Sequence, residues 1–235
     1  MKLLTYIHFG YLNYIRQHRY LREIIVVLIF HIFFWAFLYD NEADNSIWTV
    51  FTVFAILLNL VTAPSIFFLE KGNTLHFYLS KPYGRRYLFL SKIILIILVD
   101  LFWVLLFALI YGIRFFSPNF FLILPIRLFL VGSVLLITTL LISFSYSYRP
   151  QLSWLVFAFI IFGSIVNKGA LLPIKTFSEI YKLFIFILPP LLELNFLTAD
   201  LSFENVSFLF PVIAAIHIFI LFLLSYRGMM RRDLL

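Results

Sequence analysis

The sequence predicts an all-α, polytopic membrane protein with six transmembrane helices. Three observations predict it. Hydrophobic residues make up 63% of the 235 residues and charged residues only 12%, against about 45–50% and about 25% in soluble domains. Mean hydropathy is +1.04, and a soluble globule of this size has too little interior to hide so much apolar surface. The apolar stretches are separated by short polar segments whose basic residues gather on alternate turns of the chain, the pattern that orients membrane helices. Soluble enzyme, disordered chain and nucleic-acid domain are therefore excluded as readings, and the net charge of +7 is read as orientation charge. With no cysteine in the chain, disulfides, thiolate zinc sites, iron–sulfur clusters and cysteine nucleophiles are excluded too.

Residues 1–22 are too polar to cross. On a helix, Leu3, Leu4, Ile7, Tyr11, Tyr14 and Ile15 share a broad apolar face, with Asn13, Arg16 and Gln17 opposite. Such a helix is expected in the cytoplasmic interface. The run that follows lacks a cleavage site of small residues and reads as a first span, Glu23–Tyr39. The remaining spans read as Ser46–Leu69, Ile93–Ile113, Asn119–Tyr146, Leu152–Val166 and Phe208–Tyr226. Residues 23–235 form one six-helix domain, without an internal repeat or a low-complexity linker.

Lys2, Arg16, Arg19 and Arg22 precede the first span, and Lys71, Lys81, Arg85, Arg86 and Lys92 follow the second. Arg227, Arg231 and Arg232 follow the last, whereas the turn after the first span carries only Asp40, Glu42 and Asp44. This bias places both termini in the cytoplasm. Scarce glycine, eight residues in all, predicts few glycine-mediated helix contacts.

Between the second and third spans lies Glu70–Lys92. Gly72 is placed to stop the incoming helix, and Thr74 to cap a new short one. Leu75, Tyr78 and Leu79 then fall on one face at i, i+3 and i+4. Pro82 ends that turn, and Arg85, Arg86 and Lys92 anchor the next span. The expectation is a short cytoplasmic surface helix with an apolar stripe. Before the last span, Asn167–Ser207 is expected outside, with Lys175 and Glu204 exposed there. Its apolar stretch Leu183–Leu192 carries Pro189–Pro190 and rises only about 15 Å as a helix, so it is expected to be re-entrant or interfacial.

Glu70, Gly72, Thr74, Leu75, Leu79, Pro82, Arg85 or Arg86, and Lys92 resemble the segment after the second span in permease subunits of ABC-2 type ABC transporters. The basic N-terminal segment is similar to that family's interfacial elbow helix, and the layout of spans and termini is similar over nearly the whole chain. Asn73 departs from the family by separating the Gly from the Thr, and His76 stands where an acid is common. The resemblance implies short external re-entrant helices before the last span. It also implies that Glu70, Gly72, Thr74, Leu75, Tyr78, Leu79, Pro82, Arg85 and Arg86 couple the chain to a separate ABC ATPase, present in two copies. Export through a dimer with a second permease chain, identical or paralogous, and an inner-membrane location would follow.

Two ionisable residues fall inside predicted spans. Asp100 lies eight residues past Lys92, and Arg127 eight past Asn119. Each is then about 12 Å from opposite faces of a core about 30 Å thick, and Arg is long enough to close the difference. They are expected to form an intramembrane polar pair, locking two spans or lining a substrate path. Asn59, His31 and His217 are expected to bond between helices. No phosphate-binding loop, metal-ligand spacing or nucleophile elbow occurs. With the resemblance, the chain is expected to be a transporter subunit and not an enzyme. It would carry no metal or cofactor and bind no nucleic acid, with membrane lipids around it and ATP and Mg on the partner ATPase. Two alternatives remain: a six-span substrate-binding or scaffold subunit of an energy-coupling uptake system, or a membrane enzyme acting on lipids.

Overall fold

A computed structural model describes residues 2–38, 45–68, 78–115, 118–148, 151, 153–169, 182, 184–201 and 209–231. The described residues form eight α-helices: α1 Lys2–Arg16, α2 Tyr20–Leu38, α3 Ile47–Phe67, α4 Gly84–Phe115, α5 Pro118–Tyr148, α6 Ser153–Ile165, α7 Leu191–Ala199 and α8 Leu209–Arg231. No strand occurs among them. Five of the helices, α2, α3, α4, α5 and α8, are long and apolar enough to cross a membrane, which supports a polytopic membrane protein.

The predicted fifth span is shorter than expected. α6 has 13 residues and rises about 20 Å, less than the roughly 30 Å of a hydrocarbon core. The last turns of α5 and α8 meet where Gly228 packs on Tyr148 and Ser147, so α6 starts from that end of the bundle. α7 finishes at the opposite end, where the Ala199 carbonyl faces Arg127 near the start of α5. α6 therefore starts at one end of the bundle, and the nine-residue α7 finishes at the other. Their junction is tight. A Cβ on Gly163 would stand 2.8 Å from the Pro189 carbonyl oxygen, so only glycine lets α6 approach the start of α7. Glycine-mediated helix contacts were expected to be few, yet Gly163 and Gly228 both sit where helices approach closely.

Pro189–Pro190 does not interrupt an α-helix among the described residues 184–192. It precedes α7, where missing N–H groups cost nothing. Phe184 and Ile187, before it, are exposed, whereas Leu191, Leu194, Leu197 and Thr198 of α7 are buried. α7 packs against α3, α5, α6 and α8.

α3 is the central helix and the most buried of the long ones. At one end, Phe30 stacks on Phe54 at 3.9 Å between ring centres, and Phe34 meets Phe107 edge-on at 5.0 Å. Trp48, Phe51, Tyr111 and Phe120 extend this aromatic layer. The other end is packed by Ile66, Phe67, Phe89, Leu140 and Met229.

α1 is not simply laid apolar-face-down. It runs along the first half of α4, with Tyr6 against Tyr87 and Gly10 beside Leu95. Tyr14 is buried, while Leu4, Tyr11 and Ile15, from the same predicted face, are exposed. The chain reverses into α2 through His18, at φ 53.

Candidate functional site

The reversal at His18 places Tyr14, near the end of α1, against Glu23, in the first turn of α2. The Tyr14 hydroxyl donates a hydrogen bond to Glu23 Oε2. Burial, and then the hydrogen bond to Glu23, raises the Tyr14 phenol well above its ordinary range. The sequence reading used Glu23 only as the edge of a span. Its side chain is 1% exposed.

Asp100 of α4 lies in the same region and is fully buried. Asn59 of α3 donates to Asp100 Oδ2 at 2.7 Å and to Thr139 Oγ1 of α5 at 2.8 Å. Thr62, one turn along α3, lies close to both Glu23 and Asp100. Its own hydroxyl proton goes to the Leu58 carbonyl at 3.0 Å. Four long helices and α1 thus converge on one polar cluster of Tyr14, Glu23, Asn59, Thr62, Asp100 and Thr139.

Arg127 is elsewhere, so the expected Asp100–Arg127 pair does not form. Its Nη2 donates to Asn45 Oδ1 at 2.9 Å and to the Ala199 carbonyl at 3.4 Å. Its guanidinium lies 5.3 Å from the centre of the Trp48 ring, and Asp200 attracts it electrostatically. Trp48 and Asn59 are eleven positions apart on α3, about 16 Å along the axis. Two residues bound to those two places cannot meet. The equal-depth argument failed at its anchor: α4 begins at Gly84, and Lys92 is no surface anchor but a buried side chain donating to the Phe67 carbonyl at 2.8 Å.

A third polar site joins α6 to α7. Lys168 and Glu193 form a buried ion pair at 3.3 Å, and the Lys168 backbone N–H donates to Glu193 Oε1 at 2.6 Å. Burial holds the Lys168 ammonium below its ordinary range against the opposing pull of Glu193. Lys168 falls in the segment Asn167–Ser207 expected outside, and nothing local in the sequence marks it as buried.

Of the coupling residues, Glu70, Gly72, Thr74 and Leu75 lie outside the described residues. Tyr78 is buried. Its carbonyl accepts from the Tyr6 hydroxyl at 3.3 Å, and the two rings are 5.3 Å apart. Leu79 is half-buried against the core. Tyr78 and Leu79 therefore face the chain's own interior, not a free stripe. Pro82 and Arg86 are exposed, and Arg86 lies over the Tyr83 ring at 5.5 Å. Arg85 donates to the Met230 carbonyl, in α8, at 2.8 Å. The turn into α4 thus touches α1 on one side and the last turn of α8 on the other. Lys175 and Glu204 also lie outside the described residues.

Asn59 bonds between helices as expected. His217 reaches the Ile213 carbonyl at 2.9 Å and Ile187 at 3.4 Å. His31 meets Trp35 and Phe107 through its ring. Among the described residues no three His, Asp or Glu side chains are grouped to hold a metal. A cleft of about 800 Å³ opens between α1, α2 and α4, walled by Leu4, Tyr11, Leu98, Phe102 and Trp103, with Tyr14 and Glu23 in its lining. No protein-family model matches the chain, and no characterised protein or solved structure matches it either.

Proposed function

We propose that the chain is the permease subunit of an ATP-driven exporter of the ABC-2 type, working as a dimer on a separate ATPase. One observation carries the reading beyond the sequence motif. The turn at Tyr78–Arg86 is bonded to α1 through Tyr6 and to α8 through Arg85, and it leads directly into α4. A push delivered to residues 70–83 by a nucleotide-driven partner would reach three helices at once. Rigid, bonded elements of this kind transmit motion between sites. The buried α7 before the last long helix fits the re-entrant element that the resemblance implies. On this reading both termini and the turn at Lys81–Arg86 are cytoplasmic, and the membrane is the inner one.

The test is co-expression with an ATPase encoded beside this chain. Leu75→Asp together with Arg86→Glu changes the proposed docking surface, and Arg86 is exposed. The variant should insert normally yet lose co-purification with the ATPase, or lose stimulation of its turnover. Co-purification and transport at the wild-type rate would defeat the reading.

A further inference from the structure

A hydrogen count at the Tyr14–Asp100 cluster leads to a different kind of site. The donors are few and already committed. Tyr14 gives its hydrogen to Glu23 Oε2, Asn59 gives its two to Asp100 Oδ2 and Thr139, and Thr62 gives its one to Leu58. Glu23 Oε1 and Asp100 Oδ1 are left buried with no hydrogen-bond partner, and so is Asn59 Oδ1 on a fully buried amide. Neither carboxyl forms an ion pair among the described residues. What the cluster lacks is hydrogen, not acceptors.

The position of Thr62 says where hydrogen belongs. A hydroxyl oxygen has two lone pairs. With its own proton turned to Leu58, both lone pairs of Thr62 are available to the two carboxyls beside it. One hydrogen on Glu23 Oε1 and one on Asp100 Oδ1, each donated to Thr62, would satisfy both oxygens. Both groups would then be neutral, and a buried acid in an apolar surround avoids a large desolvation cost by neutralising.

We propose that Glu23 and Asp100 form a proton-binding pair bridged by Thr62, filled and emptied through the cleft between α1, α2 and α4. Only protons move: one is added to or removed from a carboxylate oxygen, and no other bond changes. Glu23 lines the cleft and is the outer member; Asp100 is fully buried and does not line it. The groups facing the pair are Tyr14 on α1, Asn59 and Thr62 on α3 and Thr139 on α5. The other titratable residues lining the cleft are His8, Tyr11 and Tyr20. Lys92, the nearest base along α4, is about 12 Å away along the helix and is held by the Phe67 carbonyl and the Tyr146 ring. Emptying the pair would leave two carboxylates repelling across Thr62, loosening α1 and α2 from α4. This site stands apart from the exporter reading and does not require an ATPase.

Infrared spectroscopy of the purified full chain in lipid nanodiscs tests it. At neutral pH exposed carboxyls are ionised, so an un-ionised carboxylic acid carbonyl absorption, sensitive to deuterium exchange, reports buried protonated acids. Wild type should show it, and Glu23→Gln and Asp100→Asn should each remove part of it. Thr62→Val should shift the absorption to that of a free acid, and Thr62→Ser should restore the wild-type position. Absence of the absorption in wild type would overturn the proposal even if no variant folds. So would an absorption unchanged by both acid substitutions. A wild type with ionised acids, whose thermal stability climbs with calcium chloride over sodium chloride at equal ionic strength, would show a metal ion in place of protons and overturn it as well.

Discussion

Asn59 on α3 donates one amide hydrogen to Asp100 on α4 at 2.7 Å and the other to Thr139 on α5 at 2.8 Å, so one side chain ties three helices together. Replacing it with Leu keeps the volume and removes both donors. Leaving a buried acceptor unsatisfied costs about 1–3 kcal/mol, so Asn59→Leu should unfold at a clearly lower temperature in detergent. A double-mutant cycle with Asp100→Asn should be non-additive, because the residues touch. The cycle between Asp100→Asn and Arg127→Gln should be additive within about 0.5 kcal/mol. Strong coupling in that second cycle would mean the two charges do meet.

Lys168 and Glu193 lock the junction of α6 and α7. Lys168→Met leaves a carboxylate buried without its partner and should cost about 3–5 kcal/mol. Lys168→Met combined with Glu193→Leu should recover most of the loss, since a packed apolar pair replaces the charged one. The Lys168 ammonium sits below its ordinary range, so the folded state binds fewer protons there than the unfolded chain. Stability from this group should therefore rise with pH from its folded value up to the ordinary lysine value of about 10.4. Thermal melts against pH check this, and Lys168→Met should flatten that alkaline rise.

The turn into α4 is strained at one residue and crowded at the next. Tyr83 adopts φ 61, which costs an L-residue about 1–2 kcal/mol. A Cβ on Gly84 would stand 2.0 Å from the Tyr78 carbonyl oxygen. Tyr83→Gly should leave stability unchanged or raise it, and Gly84→Ala should lower it by forcing the turn away from Tyr78. Differential scanning of both variants decides the matter. Equal melting temperatures for Gly84→Ala and wild type would show that the turn is not held in this conformation.

Cysteine accessibility tests the direction of the chain, and no native cysteine needs removal. An impermeant maleimide applied to whole cells should label Lys175→Cys and Glu204→Cys but not Lys81→Cys. After permeabilisation Lys81→Cys should label too. Labelling of only one of the first two would mean that the stretch between them crosses the membrane.

Much of the helical layout was legible in the sequence, because hydropathy and the spacing of breakers depend on local chemistry alone. The long helices α2, α3 and α5 start and stop close to the apolar runs that predict them, whereas α4 begins nine residues before its run and α8 continues five residues past its own. The start of α7 was not legible. Pro189–Pro190 reads locally as a break, and only the surrounding helices make Leu191–Ala199 a buried element. Asn59 was legible as an interhelical group because an amide in an apolar helix must find partners.

The sequence by itself determined which residues are costly to bury: Asp100, Arg127 and Asn59 in apolar surroundings. It also determined that such groups would need partners. Only the tertiary structure decided which partners. Sequence position gives no depth until the helix ends are known, so Asp100 met Asn59 on α3, whereas Arg127 met Trp48, about 16 Å away along that helix, and the end of α7. Glu23 met Tyr14 because the left-handed His18 reverses the chain between α1 and α2. A periodic pattern records how apolar each face is, but a hydrogen bond depends on the direction in which two faces meet, and that direction is a property of the packed bundle.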